Sequence, residues 1–99
     1  MRTLMKVKIP TAAGNDAIKD GRLGELFGKT IAALSAEAAY FTSENGMRTA
    51  LIVFDMTDSS DIPSAAEPLY MNLNALITFA PVMNADDMQA GVRKAMEAA

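Results

Sequence analysis

MRTALIVFDM, residues 47–56, alternates in two registers at once. One set is Arg48, Ala50, Ile52, Phe54 and Met56; the other is Met47, Thr49, Leu51, Val53 and Asp55. Successive side chains of a strand point to opposite faces, so each set belongs to one face. Both sets carry large apolar residues at their centres, and a strand apolar on both sides needs cover on both. Just upstream lies Glu44-Asn45-Gly46. Asn-Gly is a strong hairpin signal, because both central residues of a type I′ turn need positive φ. A two-residue loop also sets the register. It places Glu44 opposite Met47, Ser43 opposite Arg48, Phe41 opposite Ala50 and Tyr40 opposite Leu51. Ala39, Phe41, Ser43, Arg48, Ala50, Ile52, Phe54 and Met56 then form a dry face, expected to lie under helices. Tyr40, Thr42, Glu44, Met47, Thr49, Leu51, Val53 and Asp55 form a mixed, open face.

The rest of the chain is read outward from this hairpin. Residues 2–9 (RTLMKVKI) alternate as a first strand, with Met5, Val7 and Ile9 on the dry face and Lys6 and Lys8 on the open one. Lys6 or Lys8 is expected to approach Asp55, Tyr40 or Thr42. A helix capped at Gly14 or Asn15 follows. Leu23, Leu26, Phe27, Thr30, Ile31 and Leu34 recur at helical spacing, and Ile18 joins their stripe. Gly21, Gly24 and Gly28 weaken this helix by up to about 1 kcal/mol each relative to alanine. Close packing on the sheet is the expected reason for them. After the third strand, residues 57–61 supply helix caps, and a helix is expected through about Leu73, kinked or interrupted at Pro68. Residues 75–82 form a fourth strand at a sheet edge. Asn84 caps a last helix with Asp86 and Asp87 in its first turn and Met88, Val92 and Met96 on one face.

The element order is β-α-β-β-α-β plus a terminal helix. It predicts an α+β, ferredoxin-like βαββαβ fold with a four-stranded antiparallel sheet and an extra C-terminal helix. Residues 1–99 read as a single domain, within the usual range of roughly 100–200 residues per domain. There is no internal linker or repeat. Half the residues are hydrophobic and the net charge is −3. An acidic chain without a basic stripe argues against nucleic acid. The third strand also lacks the glycine and paired aromatics of an RNA-recognition sheet.

The chain has no cysteine and no histidine. Thiol catalysis, zinc–thiolate sites, histidine triads and histidine-held haem all fall away. Neither a cofactor nor a metal is expected. The N-terminus, MRTLMKVKIP, has no long apolar segment of the signal-peptide kind, and no stretch is long enough to span a membrane. A cytoplasmic location is expected, with no membrane partner.

EAAYFTSENGMRTALIVFDM at 37–56, followed by SSDIPSAAEPLY at 59–70, resembles a pattern in small uncharacterised bacterial proteins. With the element order and the two-sided third strand, the chain resembles the dimeric α/β-barrel superfamily over nearly its whole length. That resemblance implies a homodimer in which the open sheet faces pack together. It also implies a pocket between sheet and helices or inside the barrel.

Two functions follow as expectations. One is a dimeric protein that binds a small organic molecule. The other is a cofactor-independent enzyme, like the monooxygenases and isomerases of that superfamily, acting on a small organic substrate. Asp55, Glu67 and Tyr40 are the candidate proton-transfer groups; Lys6, Lys8, Arg48 and Tyr70 are the candidate ligand contacts. Asp55 ends an apolar strand, where partial burial would raise its pKa. All but Tyr70 have a structural alternative: a loop cap for Asp55, backbone bonding at a kink for Glu67, an interface phenol for Tyr40, and surface or interface ion pairs for Arg48 and the lysines.

Overall fold

The hairpin register is as its turn requires. Glu44 pairs with Met47, Thr42 with Thr49 and Ala38 with Val53. Asn45 and Gly46 hold φ of 54° and 76°, the left-handed pair of a type I′ turn. The computed structural model describes all 99 residues. Its elements are β1 (Arg2–Ile9), α1 (Thr11–Lys19), α2 (Arg22–Leu34), β2 (Ala38–Glu44), β3 (Met47–Asp55), α3 (Asp61–Leu73), β4 (Leu76–Pro81) and α4 (Ala85–Ala98). The fold is α+β: four antiparallel strands in the order β2-β3-β1-β4, and four helices. No helix is long and apolar enough to cross a membrane.

The core lies on the face read as dry. Met5, Val7 and Ile9 of β1 and Ala50, Ile52 and Phe54 of β3 are fully or nearly fully buried there. Ala17 of α1, Phe27 of α2, and Ala65, Leu69 and Leu73 of α3 close over them. Each fully buried large side chain contributes about 1.5–3 kcal/mol. Thr30 is buried too; its hydroxyl donates to the Leu26 carbonyl at 2.9 Å, so a polar residue sits in the apolar stripe of α2 without an orphaned group.

The helical layer departs from the expected one in three places. The expected single helix after β1 begins earlier, at Thr11 behind Pro10, and is two helices. Asp20 and Gly21 break it, with Gly21 at φ 78°. Ile18 therefore leaves the α2 stripe and is exposed. The helix over Asp61–Leu73 is not interrupted at Pro68. Gly24 and Gly28 do not serve close packing, because a Cβ on either would meet nothing within 4 Å.

The open face has no cover within the chain. Leu4, Leu51 and Val53 are half-buried on it, Leu76 is exposed, and Tyr40 is 69% exposed. Helix α4 stands apart from the body. Its start is well made: the Asn84 side chain accepts from the Asp87 amide at 2.8 Å, and Asp87 Oδ2 accepts from the Asn84 amide at 3.2 Å. Arg2 Nη1 donates to the same carboxylate at 3.2 Å and ties this end to β1. Beyond that tie no α4 residue is buried, and Met88, Val92 and Met96 form an exposed stripe. The chain measures 55 × 28 × 18 Å, with a radius of gyration of 15.8 Å.

Candidate functional site: a cleft between α2 and the hairpin

Edge strand β2 is largely exposed, with none of its residues fully buried. Phe41 faces the helical layer yet is 58% exposed. Its ring meets Phe27 of α2 edge-on, centroids 5.3 Å apart. Beside this pair a cleft of about 540 Å³ opens between α2 and the β2–β3 hairpin. Its apolar wall is Ile9, Leu23, Phe27, Ile31 and Phe41. Gly24 and Gly28, one turn apart on α2, complete that side. Any larger side chain at either position would project into open space. The glycines thus set the width of the cleft, at a helix cost of up to about 1 kcal/mol each relative to alanine.

Arg48 supplies the charge. It follows Gly46 by two residues on β3, on the helix-facing side, and lines the cleft with Thr42 and Thr49. Its Nη2 donates to Asn15 Oδ1 of α1 at 3.0 Å. Room for the guanidinium comes from Gly14, a buried residue inside α1: a Cβ there would lie 2.7 Å from Arg48 Nη1. Three helix glycines thus serve one place. Gly14 admits the guanidinium, and Gly24 and Gly28 leave space in front of it.

The expected site residues are scattered. Lys6 and Lys8 do not reach Asp55, Tyr40 or Thr42. The β1–β3 register sets them opposite Leu51 and Thr49, and both donate to Glu44 instead, at 3.2 and 3.1 Å. Those bonds, first from Lys8 and then from Lys6, hold the Glu44 carboxyl below the usual carboxylate range. Asp55 is exposed and not partly buried; it pairs with Arg2 in register and binds the N-terminal amine of Met1. Tyr40 lies on the uncovered sheet face. Glu67 and Tyr70 are exposed on the outer side of α3. Of the seven candidates only Arg48 lines the cleft. Phe27, Phe41, Asn15 and the three glycines are not among the expected site residues. The available signal was Gly24 and Gly28 at i, i+4 inside an otherwise strong apolar helix.

Comparison with protein-family models, with curated proteins and with solved structures finds no match.

Proposed function

We propose that this chain is a cytoplasmic small-molecule-binding protein that works as a homodimer. The observation that carries the binding function is the α2–hairpin cleft. Its volume is in the range of ligand sites, roughly 300–1,000 Å³. Its walls are mostly apolar, and two glycines keep it open against helix propensity.

The frame proposed for it is ferredoxin-like, with two helices in the first crossover and an extra terminal helix. The strand order β2-β3-β1-β4 supports this reading. The dimer reading is that of a dimeric α/β barrel, with the uncovered sheet faces packed about a two-fold axis. It is supported by the neighbouring apolar residues Leu4, Leu51, Val53 and Tyr40 on that face, beside which Lys6 and Lys8 pair with Glu44.

N-phenyl-1-naphthylamine, an uncharged fluorescent apolar probe, tests the cleft. Saturable binding at one probe per chain is expected, and Gly28→Leu should abolish it. Binding by the wild type that Gly28→Leu leaves intact would place the probe elsewhere and sink the reading. Light scattering coupled to size exclusion tests the dimer. About twice the chain mass of 10.5 kDa is expected; a single-chain mass at micromolar concentration refutes it.

A further inference from the structure

Five of the nine cationic side chains are half-buried: Arg2, Lys6, Lys8, Arg22 and Arg48. Four of them have a carboxylate within 3.2 Å. Arg2 has Glu37 and Asp87, Lys6 and Lys8 share Glu44, and Arg22 has Asp20. Arg48 alone has none, in a chain where acidic residues outnumber basic ones by 12 to 9. Its bond within the chain is the single one to the neutral amide oxygen of Asn15. A guanidinium carries five N–H donors, so most of its capacity is unspent. Desolvating a cation without a counter-charge is costly. Here that cation is placed against an apolar cleft, and a glycine makes the room for it.

From this we propose that the cleft takes an amphipathic carboxylate: a hydrophobic acyl or aromatic body lying along Phe27, Phe41, Leu23 and Ile31, with its carboxylate paired to Arg48. A carboxylate matches the planar fork of a guanidinium in two parallel hydrogen bonds. The apolar body fills the space left by Gly24 and Gly28. Asn15 is a positioning residue: its Oδ1 holds Nη2 while Nη1 lies against Gly14, which fixes the guanidinium at the α1 side of the cleft. The inference rests on the cleft as the binding site and adds the chemistry of its ligand.

The test compares decanoate with decanol, two chains of equal length that differ in the charge of the head. Each is titrated as a competitor of N-phenyl-1-naphthylamine on the full-length protein at neutral pH. Decanoate is expected to compete at least tenfold more strongly, consistent with the added strength of a charged hydrogen bond. In Arg48→Met that preference should vanish while the uncharged probe still binds. Arg48→Lys should keep part of it, since an ammonium is a point charge without the fork. Equal competition by the two chains in the wild type would overturn the carboxylate assignment and leave the cleft standing. Absence of saturable probe binding in the wild type would remove the cleft itself. Should Arg48→Met fail to fold, Asn15→Ala is the second variant. It frees the guanidinium without removing it, so the decanoate preference should fall with little change for decanol; an unchanged preference would overturn the role given to Asn15 and Arg48.

Discussion

Phe27 and Phe41 meet edge to face at 84°, yet one ring is buried and the other is half in solvent. The same contact therefore joins the core to the cleft. Phe27→Ala removes a buried ring and is expected to cost about 3–5 kcal/mol of stability. Phe41→Ala loses the aromatic pairing and little burial, about 0.5–1.5 kcal/mol. Urea unfolding of both variants checks the difference. Probe binding should fall in Phe41→Ala, which stays folded.

Gly24→Ala and Gly28→Ala should each stabilise the protein, by about 0.4–1 kcal/mol, since alanine is the better helix former and finds free space. The same variants should weaken probe binding in the cleft. Stability and binding moving in opposite directions is the expected signature. A loss of stability in either variant would mean that the space is already filled by something essential.

Acid should weaken the fold through Glu44. Its folded pKa lies below the ordinary value because Lys8 and Lys6 bond the carboxylate. The unfolded chain therefore takes up the proton first as pH falls, and the stability that the pair of bonds contributes at neutral pH is lost through the folded pKa. The urea midpoint should fall from just above the ordinary glutamate value of about 4.3 downward. Glu44→Gln should show a shallower fall over that interval. Some slope should remain, because Asp20, bonded by Arg22, and Asp58, bonded by the Ser60 amide, are depressed too. Superimposable pH profiles for wild type and Glu44→Gln would rule out this role.

Helix α4 should open independently of the body. Its side-chain hydrogen bonds are those of its own cap and the Arg2–Asp87 bond. Asn84→Ala should cost the helix about 1 kcal/mol. Hydrogen exchange of α4 amides should then quicken while those of β1 and β3 do not change. A comparable fall in whole-protein stability would instead show that α4 unfolds together with the body.

The parts of this fold governed by local rules were legible in the chain. Asn45-Gly46 dictates its turn, the turn dictates the register, and the period-2 pattern then sorts Ile52 from Leu51 onto the correct faces. The α4 capping box is similarly local. The break at Asp20-Gly21 was not legible, because a glycine inside a helical pattern is ordinarily tolerated and only the left-handed φ shows that the helix stops. The cleft was hidden for another reason. It is lined by residues of β1, α2, β2 and β3 that only the tertiary fold brings together, and no local residue pattern encodes that. The period-2 pattern puts Lys6 and Lys8 on the correct face but does not name their partner, because Glu44 at the turn is far from both in sequence.

The detached α4 also changes how this chain moves through water. A compact chain of this length has a radius of gyration near 13 Å, against 15.8 Å here. Such an elongated particle drags more and elutes ahead of spherical standards of its own mass. A single copy will therefore mimic a heavier species on a calibrated column, and copy number must be read from scattered light and not from elution volume.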